Sequence, residues 1–158
     1  FQSVKEGMVD DFFVYYTEDA DAPTACLSLT EFQDEAVTLF CYGGTLPVAM
    51  EAALRLLVEA EISVRIISPS QLYPLEGPSF VDLVAPDSHI VTLEEGTLPY
   101  GIGGEIWAAL SESSPDRLGK FCRIGAQDSC VAASRSLEDQ ILPGPDHVVQ
   151  RIQAMIDM

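Results

Sequence analysis

Ala36-Val37-Thr38-Leu39-Phe40-Cys41-Tyr42 is an unbroken apolar run with β-branched and aromatic content, and Gly43-Gly44-Thr45 closes it. A strand covered on both faces has no need to alternate with polar residues, so a run of this length reads as a buried strand. The period then changes. Thr45 suits a helix cap, Pro47 fits the first turn where its missing N–H is not needed, and Ala49, Ala52, Ala53, Leu56, Leu57 and Ala60 recur at three- and four-residue spacing. A buried strand, a glycine turn and an amphipathic helix in succession make half of a β-α-β unit.

Further along the chain the alternation continues. Ser63-Val64-Arg65-Ile66-Ile67 reads as a second strand closed by Ser68-Pro69, and a short helix is expected over Gly77–Val84, after Pro74 and Pro78 have broken the chain. Ser88–Leu93 is a third strand. Gly101-Ile102-Gly103-Gly104 opens a helix with Ile106, Trp107, Ala109 and Leu110 on its apolar side, and Lys120–Ile124 is a fourth strand. A loop over 126–133 leads to two helical pieces separated by Leu142-Pro143-Gly144-Pro145, the last over Asp146–Ile156 with Asp146 as its expected N-cap. Strands alternating with helices predict an α/β fold in three layers, helices on both faces of a mostly parallel sheet. Toward the N-terminus, Phe12–Tyr16 and Ala25–Leu29 are short strand-like runs separated by Glu18-Asp19-Ala20-Asp21-Ala22-Pro23. The first 34 residues read as an extension supplying edge strands, or as the tail of a preceding domain; residues 35–158 form the main domain.

A chain of 158 residues with 47% hydrophobic content is sized for one core. Its longest apolar stretch, Leu46–Val58, is interrupted by Pro47, Glu51 and Arg55 and falls short of the roughly 20 residues a membrane helix needs. Eight Lys and Arg against 25 Asp and Glu give a net charge of −17. Such a field repels phosphate backbones and anionic lipid, so nucleic-acid and membrane-surface partners are excluded; the acids, spread along the chain, read first as a solvated surface, with a docking face for a basic partner as the alternative. The chain opens at Phe1 with no basic, apolar and small-residue leader pattern, and reads as a piece of a longer chain.

Chemistry is harder to find. Cys26, Cys41, Cys122 and Cys130 form no C-x-x-C pair, and only His89 and His147 could join them, so a reducing compartment and no metal site are expected; Cys130, in a polar loop, is the thiol most open to reaction. Gly43-Gly44-Thr45 joins a strand to a helix N-terminus and reads first as a tight turn needing glycine; it is also a candidate anion site, though no Lys follows as in a phosphate loop. The glycines at 101, 103 and 104 suit close helix-to-sheet packing. Glu94 and Glu95 end the third strand at the carboxyl edge, where α/β sheets hold ligands, but neighbours on a strand point to opposite faces; they read as solvated acids or a subunit contact. No Gly-x-Ser-x-Gly elbow is present.

Taken in order, these residues resemble the C-terminal domain shared by transketolase-like thiamine diphosphate enzymes. Val37–Gly43 is similar to the family's VTIVTYG, Gln71-Leu72-Tyr73-Pro74-Leu75 to its TLKPLD turn, and the stretch from His89 to Ile106, with Glu94-Glu95-Gly96 and Gly101–Ile106, to its vvvEe…GGfGaEi signature. Gly125-Ala126-Gln127-Asp128, Leu137-Glu138 and Leu142-Pro143 resemble the ending of 2-oxo acid dehydrogenase beta subunits, although Cys130 and Ala132 stand where that branch has prolines and Ala133 where it has an aromatic residue.

The resemblance implies a sheet of about five strands, mostly parallel, with one antiparallel edge strand from the Ala25–Leu29 region. It implies no cofactor here, since thiamine diphosphate and Mg²⁺ lie between the two preceding domains of the full enzyme, and hence an isolated domain that is inactive. The implied role is assembly and docking in a 2-oxo acid dehydrogenase, with the alpha subunit and the acyltransferase core as partners, in the cytoplasm or, in a eukaryote, the mitochondrial matrix. Subunit contacts would involve Gly101, Gly103, Gly104, Gly125, Asp128 and Cys130, and partner docking Glu138, Asp139 and Asp157. Transketolase and deoxyxylulose-phosphate synthase share the earlier motifs. A stand-alone interaction or anion-binding module using the Gly43-Gly44 turn is the rival reading.

Overall fold

In the computed structural model, which describes residues 7–9, 11–17, 23–32, 34–74, 82–114, 119–129 and 134–158, seven strands form one sheet. They are β1 (Gly7–Val9), β2 (Phe12–Tyr16), β3 (Thr24–Ser28), β4 (Val37–Cys41), β5 (Val64–Pro69), β6 (His89–Thr97) and β7 (Phe121–Ala126). The helices are α1 (Thr45–Ala60), α2 (Ile102–Ser113), α3 (Arg135–Ile141) and α4 (Pro145–Ile156). The strand order is β1-β2-β3-β5-β4-β6-β7. Strands β5, β4, β6 and β7 run parallel, while β1, β2, β3 and β5 pair antiparallel in succession.

The α/β class and the parallel core are those the alternating runs predict. The sheet is wider than expected, and the antiparallel strand at 24–28 is not its edge. Phe12–Tyr16 pairs with β3 from Phe13↔Ser28 to Tyr16↔Ala25, and β1 is added beyond it. Asp11, at φ 68°, turns the chain between β1 and β2; Asp is one of the few side chains that tolerate this left-handed region. The helix expected over 77–84 falls partly on 75–81, outside the described residues; Asp82 and Leu83 lie in a turn.

Alternation along β4 assigns the two faces. Val37, Leu39 and Cys41, with Ile66, Val91, Leu93 and Ile124 of the neighbouring strands, pack against Ala49, Ala52, Ala53 and Leu56 of α1 and Val148, Val149 and Ile152 of α4. Three alanines on the α1 face let that helix lie close to the sheet. Phe40, Ile67 and Ile90 face the other way onto Ile106 and Leu110 of α2 and onto Leu83 and Val84. Helices therefore cover both faces, the three layers read from the periodicity.

Two cap expectations fail for one reason: glycine precedes each helix. Thr45 is the first residue of α1 with Gly44 at the N-cap, and its hydroxyl donates to the Tyr42 carbonyl (2.7 Å) and accepts from the Tyr42 amide (3.1 Å), bracing the turn instead of capping the helix. Asp146 lies in the first turn of α4 behind Gly144 and Pro145, and its carboxylate accepts from Arg55 Nη1 of α1 at 2.6 Å. A buried ion pair, Arg65 Nη2 of β5 to Glu35 Oε2 at 2.7 Å, joins β5 to the segment that leads into β4. Arg65 Nη1 also donates to the Leu83 carbonyl at 3.0 Å, and its guanidinium lies over the Phe32 ring.

Candidate functional site at the carboxyl edge of the sheet

In the parallel portion, β4 is followed through α1 by β5 on one side, and β6 then pairs on the other side of β4. The order reverses between β4 and β6, so the chain leaves their carboxyl ends toward opposite faces and a crevice opens there; open α/β sheets bind ligands at such a switch point. The residues meeting at this crevice are Tyr42–Thr45 after β4, Glu94 and Glu95 of β6, and Gly101–Gly103 at the start of α2.

The two glutamates part as strand geometry demands, helped by an irregularity in β6. Its pairing with β7 is regular to Leu93↔Ile124 and resumes at Thr97↔Ala126, leaving Glu94, Glu95 and Gly96 in the bulge. Glu94 turns onto the start of α2 and is 1% exposed. Its Oε1 accepts from the Gly103 amide at 3.4 Å, so a side chain from the strand does what no α2 side chain does, namely cap the helix. A Cβ at Gly101 would collide with this carboxylate, and one at Gly103 with the Thr92 hydroxyl. Glu94 is thus not the solvated acid that its position at a strand end suggests. Burial raises its carboxyl above the ordinary range; the amides of Gly103 and Ile102 and the Arg123 charge pull the other way. Burial, and then the charges of Glu94 and Glu95, raise the Tyr42 phenol.

Glu95 turns the other way and is exposed, its carboxylate lying where a Cβ on Gly44 would sit. Beside it opens a cavity of about 410 Å³ lined by Gly44, Thr45 and Val48 of the α1 start, Glu95, and Asp139, Leu142, Pro143, Gly144 and Pro145 of the α3–α4 connection. Gly43 sits at φ 56° in the preceding turn, a conformation glycine adopts without strain. Of the residues read as an anion site, Gly44 and Thr45 line this cavity, but among the described residues its charged side chains are two carboxylates and none is basic. That lining does not fit a diphosphate. Among the described residues no three His, Cys, Asp or Glu side chains converge on a point where Mg²⁺ could be held.

The other sequence-predicted residues scatter. Gly103 is buried in the first turn of α2 against β6 and Gly104 faces Arg123, while Gly125 packs on the Gly96 carbonyl and Leu98. Asp128 is exposed; Cys130 lies outside the described residues. Glu138 and Asp139 are on α3 and Asp157 follows α4, so Asp139 reaches the cavity while Asp157 is at the far end of a 12-residue helix. Cys26, Cys41 and Cys122 are free thiols buried in strands. Sequence reading missed the α3–α4 connection as a wall of the crevice. Leu142-Pro143-Gly144-Pro145 reads only as a break between helices, and nothing local says that α4 docks beside α1.

The transketolase C-terminal domain family matches residues 29–148. The chain is 32% identical over 114 residues to the beta subunit of acetoin:2,6-dichlorophenolindophenol oxidoreductase from Bacillus subtilis, covering 72% of this chain and 33% of that protein. It is 28% identical over 121 residues to the mitochondrial pyruvate dehydrogenase E1 component subunit beta of Pisum sativum, covering 76% and 33%, and 31% identical over 120 residues to 1-deoxy-D-xylulose-5-phosphate synthase of Bacillus cereus, covering 75% and 19%. The chain thus spans a third or less of the length of these relatives. Among solved structures, a split-gene transketolase in an inactive beta4 tetramer superposes with a TM-score of 0.64 at 24% identity, covering 84% of this chain and 41% of that one. The 2-oxoglutarate:ferredoxin oxidoreductase of Magnetococcus marinus superposes at 0.54 and 14% identity, covering 99% and 20%.

Proposed function

Because the chain belongs to the transketolase C-terminal domain family, we propose that it is the assembly and docking domain of the beta subunit of a thiamine-diphosphate-dependent 2-oxo acid dehydrogenase. The observation that carries this reading is that two of its relatives, at 32% and 28% identity, are themselves beta subunits, each matched over a third of its length. The whole enzyme would decarboxylate a 2-oxo acid oxidatively and pass the acyl group to lipoamide, using thiamine diphosphate and Mg²⁺ held by other domains. This domain would contribute subunit contacts through the outer side of the Gly101–Gly104 and Gly125–Cys130 segments, toward a second copy and the alpha subunit. The similarity to 1-deoxy-D-xylulose-5-phosphate synthase supports the second reading, the same domain in such a synthase.

Docking of a basic acyltransferase segment would draw on Glu138, Asp139 and Asp157, on a chain whose net charge is −17. Complementary charge steers encounter more than it adds affinity, and an exposed pair contributes about 0.2–1 kcal/mol. Surface plasmon resonance of the chain against the cognate acyltransferase tests this. Glu138→Lys with Asp157→Lys should slow association several-fold at low ionic strength and much less at high salt. A variant that associates as fast as the parent at low salt removes this docking surface.

A further inference from the structure

We propose that the switch-point cavity takes the side chain of one arginine or lysine from a partner polypeptide, the alkyl stem against Val48, Leu142, Pro143 and Pro145 and the cationic head between Glu95 and Asp139. The inference rests on the docking reading above and names a second contact for it, away from Asp157.

Three features point the same way. First, place: the cavity lies at the carboxyl edge where the strand order reverses, the position at which open α/β sheets hold ligands. Second, size: about 410 Å³ is near the lower end of the roughly 300–1,000 Å³ of small-molecule sites, enough for one long side chain. Third, charge: the starts of α1 and α4 both reach the lining through Gly44 and Gly144, each equivalent to about half a positive charge, while Glu95 and Asp139 bring two negative ones. The balance is about −1, which selects a single cation and disfavours phosphate. A lining that combines Val48, Leu142, Pro143 and Pro145 with two carboxylates matches a side chain that carries a charge on an apolar stem. Arg55, a cation on the adjacent face of α1, is engaged with Asp146 and Glu59 and does not line the cavity.

The test is an NMR titration of the 158-residue chain at low salt with N-acetyl-arginine amide, with its uncharged norleucine counterpart and inorganic diphosphate as comparisons. The arginine probe should shift the amides of Gly44, Thr45, Asp139 and Gly144 in one saturable event, and the other two should not. Glu95→Gln and Asp139→Asn should each weaken it up to about fivefold. Glu31→Gln with Glu112→Gln removes as much charge from exposed positions outside the cavity and should leave binding unchanged. Val48→Trp should abolish binding by filling the space; should that variant fail to fold, Glu95→Gln with Asp139→Asn decides instead. Shifts spread over the acidic surface, equal loss in the outside pair, or tighter binding of diphosphate would overturn the proposal. Against the acyltransferase, Glu95→Gln with Asp139→Asn should shorten the complex lifetime; an unchanged lifetime overturns the cavity as a docking point. If no acyltransferase binds the parent while the arginine probe still fills the cavity, the docking reading falls and the cation site stands.

Discussion

Glu94 is held out of water by a helix start that lies seven to nine residues further along the chain. Sequence shows that Glu94 and Glu95 must diverge, but not which is buried. That depends on Gly101 and Gly103 coming to rest against β6, a tertiary contact with no local signature. The burial has a pH consequence. A carboxyl whose folded pKa lies above its unfolded value holds more protons folded than unfolded between the two, so its contribution is best on the acid side and is lost as pH rises through that window. Glu94→Gln keeps an oxygen for the Gly103 amide and cannot ionise. It should be more stable than the parent at neutral pH, with the advantage shrinking toward about pH 4, as read by urea unfolding at the two pH values. Glu94→Ala, which leaves the α2 start without its carboxylate, should cost about 0.5–2 kcal/mol. The thiols follow the same logic of burial, which pushes Cys26 up to about 11 and Cys41 up to about 12. Both should stay protonated at neutral pH and resist iodoacetamide until the chain unfolds; labelling of either at the rate of a free thiol in the native state would contradict their strand positions.

Elements are most legible where one local rule has no competitor. The run at Val37–Cys41 and the helix at Thr45–Ala60 follow from apolar periodicity alone. Strand β6 is longer than its apolar run because polar Glu94, Glu95 and Thr97 extend it through a bulge. The first 34 residues are less legible because their strands are short and β3 finds its second partner, β5, only beyond α1; Phe12–Tyr16 looks like a strand, but nothing in it says that it pairs with β3. Arg65, on a strand whose neighbours are all apolar, is the one local sign that something buried and acidic must meet it, and Glu35 lies 30 positions away. Breaking that pair strands a charge in the core. Arg65→Met should destabilise the fold by about 3–5 kcal/mol, and adding Glu35→Gln should recover much of the loss, because an uncharged residue then replaces the stranded acid. A double-mutant cycle by chemical denaturation checks this; equal losses in the single and double variants would mean that packing around Arg65, not its charge, dominates. Gly103→Ala tests the contact of α2 with β6: its Cβ meets the Thr92 hydroxyl, and the overpacked variant should lose about 1–3 kcal/mol.

At the scale of the whole molecule, a parallel core with an acidic rim explains why the site is hard to name from sequence. The sheet topology that opens the crevice arises from the order in which four strands assemble, and its walls come from segments as far apart as Gly44 and Pro145. The net charge of −17 is visible from the first count, and the structure adds where it matters: among the described residues the cavity at the switch point carries Glu95 and Asp139 and no base. Among the described residues, a diphosphate entering there would meet two carboxylates with only the amides of two helix starts in compensation, roughly +1 against −2, and would find no triad of ligands to hold its Mg²⁺. Calorimetric titration of the chain with thiamine diphosphate and Mg²⁺ should therefore give no saturable heat, at low salt as well as high. Because charge repulsion is screened by salt, binding that emerged only at high ionic strength would point to a preformed diphosphate site masked by the field. Saturation in the micromolar range at any salt would show that this domain holds cofactor by itself, and the division of labour proposed for it would be wrong.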